Sequence, residues 1–201
     1  MKLFSLAIML AAVTACATAQ NYGFDIYLRG GAGFPDAPEL YANNWKSGPH
    51  IGTGFEFTLS QRISVGAGLE YARNPLKKNH LIDGTVLADT RLSGGVLDMF
   101  SFAVFLNYRM LGRVVSTFPY ITMDAGATHT RINDQTVSSS DRNNIVTGSS
   151  ETAFRAAWGL GLDVPLSSTV AFSVGAKYIL VFAEEERRGY VPVDAGFKFV
   201  F

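Results

Sequence analysis

The chain has 201 residues, of which 48% are hydrophobic and 17% charged, with Lys+Arg equal to Asp+Glu at 17 each. The charged fraction lies below the ~25% usual for soluble domains, and the balance excludes a basic nucleic-acid binder, an acidic tail protein and an expanded disordered chain. A single Cys excludes a disulfide framework and a cysteine-based zinc site.

Lys2, the apolar run Leu3 to Val13 and the A-x-A site Ala17-Thr18-Ala19 predict a cleaved signal peptide over 1–19, with the domain proper over 20–201. The run is too short to cross ~30 Å of hydrocarbon as a helix. Val13-Thr14-Ala15-Cys16 also fits a lipobox, so Cys16 is either discarded with the signal or lipidated at a new N-terminus. No later stretch has ~20 successive apolar residues. An exported chain this apolar is then a secreted soluble domain or a membrane barrel.

From there the pattern is two-residue alternation with glycine scattered through it, which predicts strands and argues against helices. Eight are expected, at about 22–34, 50–60, 62–72, 96–109, 119–131, 152–164, 169–181 and 190–201. In the first, Phe24, Ile26 and Leu28 share one face and Asp25, Tyr27 and Arg29 the other. The same split sets Phe55 and Phe57 against Gly54 and Glu56, Val65 and Leu69 against Gly66 and Glu70, and Phe102 and Val104 against Ser101 and Asn107. It continues with Ile121 and Met123 against Thr122 and Asp124, then Trp158 and Leu160 against Arg155 and Gly161. The last two strands set Phe172 and Val174 against Ser173 and Lys177, and Phe197 and Phe199 against Asp194 and Lys198. Two residues break the pattern: Asp98 falls on the apolar face and is expected at a rim, and Phe105 falls on the polar one. The connections alternate. Short ones lie near 60–61, at 110–118 and at 165–168; long polar ones lie at 35–49, 73–95, 132–151 and 182–189. Short turns on one side and long loops on the other is the outer-membrane pattern.

Alternation alone fits a lipocalin as well, with the faces reversed. Residue size decides. The polar face is mostly Gly, Ala, Ser and Thr with isolated charges of both signs, which suits the narrow lumen of an eight-stranded barrel; the aromatic and branched face suits lipid. Aromatics gather at strand ends, with Tyr22, Phe24, Tyr108, Phe118, Tyr120 and Phe201 near the short turns and Phe34, Tyr71, Tyr178, Phe182 and Tyr190 near the long loops, as interfacial girdles do.

With these features the chain resembles the small eight-stranded outer-membrane barrels of the OmpA/OmpX type, over about 21–201. The fold class is therefore all-β, an antiparallel up-and-down transmembrane barrel. Ala195-Gly196-Phe197-Lys198-Phe199-Val200-Phe201 looks like that family's C-terminal assembly signal, and the resemblance implies that Phe197, Phe199 and Phe201 carry recognition by the outer-membrane insertion machinery. No peptidoglycan-binding domain is expected after Phe201. Lipid and lipopolysaccharide are the expected surroundings, with host or surface ligands at the loops, no nucleic acid, and a monomeric state.

The inward ionisable residues are Asp25, Arg29, Glu56, Glu70, Asp124, Arg155, Asp163, Lys177, Asp194 and Lys198, with Arg62 and Arg109 near the short turns. Buried charges persist when paired, so ion-pair networks are expected, filling the barrel or gating small ions. One antiparallel register would set Asp25 opposite Lys198 and Arg29 opposite Asp194, with Lys177 also near Asp194. For catalysis, His50, His80 and His129 with Asp134, Asp141 and Ser138 to Ser140 make a rim hydrolase or acyltransferase conceivable, but no triad is evident. Gly30-Gly31-Ala32-Gly33 is not a phosphate loop. No catalytic residue, metal site or cofactor is predicted. The expected function is an envelope-integrity or surface-adhesion role; a small porin-like channel is the alternative and a lipid-modifying enzyme the third reading.

Overall fold

The computed structural model describes residues 23–201 apart from 79, 83–84, 87–90, 111–116, 139–142 and 185. The signal segment, Cys16, Tyr22, Ser139, Ser140 and Asp141 lie outside the described residues. The elements are β1 (Phe24–Ala37), α1 (Glu39–Asn44), β2 (Gly48–Thr58), β3 (Ile63–Pro75), β4 (Arg91–Gly94), β5 (Val96–Arg109), β6 (Phe118–Ile132), β7 (Gln135–Ser138), β8 (Asn143–Val146), β9 (Ser149–Pro165), β10 (Val170–Phe182) and β11 (Arg187–Val200). Eight of the strands close into a barrel in the order β1-β11-β10-β9-β6-β5-β3-β2, every neighbour antiparallel. Closure leaves no unbonded edge, which is what hydrocarbon demands.

The alternating faces fall as residue size implied. Leu160 is 65% exposed and Met123 61%, pointing out, while Arg155 is 0% and Lys198 2% exposed, pointing in. An apolar exterior around a charged interior is stable only when lipid surrounds it. Asp98 is at the outer rim, where it accepts a hydrogen bond from Tyr71 Oη at 2.7 Å and faces Arg73 Nε at 3.8 Å. Two short turns share one device. Ser60 Oγ accepts from the Arg62 and Ile63 amides, and Ser167 Oγ from the Thr169 and Val170 amides.

The eight barrel strands are 11 to 17 residues long, against the ~9–11 that cross a bilayer at a ~45° tilt. The surplus lies at the long-loop end: β1 and β3 run on to Ala37 and Pro75, and β9 and β11 begin at Ser149 and Arg187. The loops expected to be irregular contain α1 and a three-stranded sheet, β4-β7-β8. Gly94 and Gly95, at φ +85° and +66°, make the kink between that sheet and β5, a backbone that favours glycine. Gln135 is fully buried there; its Oε1 accepts from the Ile82 amide at 2.9 Å and its Nε2 donates to the His80 carbonyl at 2.6 Å, tying two loops together.

The closing register differs from expectation by two residues. Asp25 stands opposite Val200, Tyr27 opposite Lys198, Arg29 opposite Gly196 and Gly31 opposite Asp194. A two-residue slip keeps every side chain on its face, so alternation does not distinguish the two registers. Space in the narrow lumen explains the choice: Arg29 and Asp194 each lie beside a glycine rather than beside each other. The strands also approach closely there, since a Cβ on Gly31 would come 2.0 Å from the Val193 carbonyl oxygen and one on Gly196 2.0 Å from that of Leu28.

The barrel lumen and its outer mouth as the candidate functional site

The inward side chains stack in layers. Nearest the short turns, Glu56 is the hub. Its carboxylate accepts from Ser64 Oγ, from Arg109 Nη2 at 3.1 Å, from Asn107 Nδ2 at 3.1 Å and from Lys198 Nζ at 3.0 Å. Lys198 Nζ also reaches Asp163 Oδ2 at 2.5 Å, and Asp163 Oδ1 accepts from Ser173 Oγ at 2.7 Å. Asp25 joins through Arg109, 3.9 Å away. Every strong acceptor of Glu56 is thus occupied, which is the condition for holding a carboxylate out of water.

The middle layer is aromatic. Tyr27 meets Phe105 edge-on at 5.8 Å between ring centres, and the Arg29 guanidinium lies 4.8 Å over Tyr27 and 5.9 Å from the Tyr120 ring. Glycines make the room. A Cβ on Gly66 would meet the Phe105 ring at 2.4 Å, one on Gly68 would meet Tyr27 Oη at 2.1 Å, and one on Gly161 would meet the Tyr120 ring at 2.4 Å.

Above it, Arg155 bridges two carboxylates. Nη1 donates to Glu70 Oε2 at 2.7 Å, and Nη2 to both oxygens of Asp124 at 2.8 and 2.9 Å. Lys177 Nζ bonds the same pair, Glu70 and Asp124 Oδ2, the latter at 3.0 Å. His50 lies between Glu70 Oε2 at 3.8 Å and Asp194 Oδ2 at 3.7 Å, beyond hydrogen-bond length. A cavity of about 40 Å³ beside Arg29, His50, Lys177 and Asp194 is the space left at this level, room for a few waters.

The outer mouth is apolar inside as well as outside. Ala72, Leu97, Met99, Ile179, Val181 and Tyr190 line it, and Tyr41 and Trp45 from the α1 loop pack into them. Tyr41 Oη lies 3.8 Å from Met99 Sδ. The loop is fastened by Lys77 Nζ donating to the Ala42 carbonyl at 3.1 Å, by the Lys46 amide donating to the Pro75 carbonyl at 2.9 Å and by buried Asn74, whose Nδ2 donates to the Lys46 carbonyl at 2.8 Å. From mouth to base the lumen is filled: apolar plug, ion-pair layer, aromatic layer, ion-pair layer.

A family model described as Outer membrane protein beta-barrel domain matches residues 5–198. The chain belongs to the outer membrane protein beta-barrel family. It is an integral protein of the bacterial outer membrane. Among solved structures it is similar to Neisserial surface protein A (NspA), with 12% identity and a TM-score of 0.53 over 90% of this chain and 96% of that one. It is also similar to the outer membrane protein OprG from Pseudomonas aeruginosa, with 16% identity and a TM-score of 0.52 over 88% and 95%. At these identities the likeness is one of fold. No curated protein matches the chain.

Within this family member, several residues stand elsewhere than expected. Lys177 turns to Glu70 and Asp124, because on β10 it is Gly175, not Lys177, that lies opposite Asp194. Arg29 and Asp194 form no ion pair, and Arg29 is held by the two tyrosine faces instead. Arg62 stays at the exposed turn, 3.5 Å from Tyr108 Oη. Tyr120 and Tyr190, expected in the girdles, are buried inward, because each keeps step with its strand's lumen-facing residues and has a glycine, Gly161 or Gly33, opposite its ring. The histidines go to three places: His50 in the lumen, His129 on the lipid face with Nδ1 2.9 Å from Thr152 Oγ1, and His80 in a loop with Nδ1 3.1 Å from the Lys78 carbonyl. Phe197 and Phe199 face outward beside the closing seam, and Phe201 pairs with Phe24 through both backbone bonds. The apolar mouth was missed. Its signal was the run Tyr178-Ile179-Leu180-Val181-Phe182, where alternation stops because both faces are covered.

Proposed function

We propose that this protein is a non-conducting barrel that serves envelope integrity and presents a shaped loop platform for surface contacts. The observation that carries the reading is the filled lumen: two ion-pair layers, an aromatic layer between them and the Tyr41–Trp45 plug above. The platform is supported by the small β4-β7-β8 sheet and by Gln135, since loops tied by specific hydrogen bonds hold a fixed shape. In the same reading the outward row Phe197, Phe199 and Phe201 is what the insertion machinery recognises.

In planar bilayers the protein is expected to give no current steps. Tyr41→Ser with Trp45→Ser, which removes the plug, leaves the ion-pair layers in place and is expected to stay silent. Current steps from the unaltered protein would contradict the reading and favour the porin-like alternative. Replacing residues 135–146 with a short Gly/Ser turn is expected to abolish binding of expressing cells to host-cell surfaces while the barrel still folds; unchanged binding would remove the platform from the account. An altered lipid A mass profile in expressing cells would favour a lipid-modifying enzyme instead.

A further inference from the structure

We propose that the outer face of β3, β5 and β6 holds one phosphate-bearing lipid of the outer leaflet, its phosphate on Arg73 and Arg131 and an acyl chain in the apolar groove beneath them. The registers put three rungs side by side on this face. The outermost is Arg73–Asp98–Arg131–Ser150, the next Tyr71–Phe100–His129–Thr152, and the third Leu69–Phe102–Ala127–Phe154. Charge, mixed polarity and hydrocarbon follow one another in the order of headgroup, interface and acyl chain.

The charge of the outermost rung is not balanced. Two guanidinium groups flank a single carboxylate, and Asp98 is committed to Tyr71 Oη at 2.7 Å, Arg73 Nε at 3.8 Å and Asn133 Nδ2 at 3.5 Å. Arg131 is exposed and forms no ion pair among the described residues. The Arg73 side chain is half exposed. Of the nearby acidic groups, Glu151 pairs with Arg188, and Asp134 keeps its charge while its Oδ1 accepts from the Gly148 amide. On this rung the guanidinium groups outnumber the carboxylate two to one, in two planar forks suited to phosphate oxygens.

Directly on the membrane side lies an apolar groove of about 480 Å³. Its low points are Thr53, between Leu28 and Leu69, and Ala127, between Phe102 and Phe154. The lipid face has other small residues, such as Gly30 beside Ala195 and Ala125 beside Ala156; what distinguishes this stretch is that its recess lies directly below the Arg73–Arg131 pair.

The test is native mass spectrometry of the folded full chain titrated with bisphosphorylated lipid A, with dephosphorylated lipid A and inorganic phosphate as separate arms. The unaltered protein is expected to bind one bisphosphorylated lipid. Arg73→Gln with Arg131→Gln is expected to weaken binding about 25-fold, from about fivefold per arginine near a charged bilayer surface. Ala127→Phe, which fills the groove and leaves both arginines, is expected to weaken it too. Arg187→Gln, at the outer end of β11, is expected to change nothing. Inorganic phosphate is expected not to compete, because half of the site is the groove. Heat-modifiability on gels confirms that each variant is folded. Equal affinity of the unaltered protein for phosphorylated and dephosphorylated lipid A would overturn the proposal without any variant, as would equal affinity of the double variant.

Discussion

Arg155→Ala is expected to lower the unfolding free energy of the barrel by about 3–5 kcal/mol, the cost of breaking a buried ion pair from one side. Arg155 is completely buried and makes three hydrogen bonds to two carboxylates. Without it, Glu70 and Asp124 share only Lys177 Nζ, and two buried like charges face each other with one cation between them. Arg155→Lys keeps the charge but cannot reach both carboxylates as a planar fork, so its loss is expected to be intermediate. Urea unfolding in bilayer vesicles checks both, read as a lower midpoint at unchanged slope. A midpoint equal to that of the unaltered protein would show that the lumen network carries no stability.

Gly68→Ala is the second large effect. Its Cβ would come 2.1 Å from Tyr27 Oη and 3.1 Å from the Thr53 carbonyl oxygen. Tyr27 cannot swing away, because it is wedged against Phe105 and beneath Arg29. Overpacking of this kind costs about 1–3 kcal/mol. The specific expectation is suppression. Tyr27→Phe removes the oxygen that clashes and leaves the ring carbon Cζ 3.3 Å from the new methyl, so the double variant is expected to be more stable than Gly68→Ala alone. Losses that simply add would mean that the tyrosine does not occupy the space above Gly68.

Much of the architecture was legible because it rests on parity. Ile121, Met123 and Ala125 on one face against Thr122, Asp124 and Gly126 on the other can form only one kind of strand, and size then says which face is wet. Parity carries no information about slips by two, which is why the strands and their faces were readable while the closing register was not. That register depends on Gly31 and Gly196 coming against neighbouring backbone, a three-dimensional fit with no one-dimensional trace. Tyr120 and Tyr190 show the complementary failure. Grouping aromatics by nearness to strand ends ignored parity, which places both inside. The α1 plug was hidden for another reason. Tyr41 and Trp45 sit in a polar loop, and only the inward Leu97, Ile179 and Val181 give them something to cover. The loop sheet rests on strands of four residues, too short for a periodic signal.

One division underlies the fold and the proposed role: the aromatic and aliphatic face meets lipid while the lumen and mouth are filled. The two tryptophans of the chain lie on opposite sides of that division: Trp158 points outward in the middle of β9, and Trp45 is buried in the plug. The most direct measurement is tryptophan fluorescence in vesicles of lipids brominated along the acyl chain. With Trp45→Phe, the remaining Trp158 emission is expected to be strongly quenched; with Trp158→Phe, the Trp45 emission is expected to be nearly unaffected. An unquenched Trp158 in the folded, vesicle-inserted protein would contradict the assignment of the faces and everything built on it.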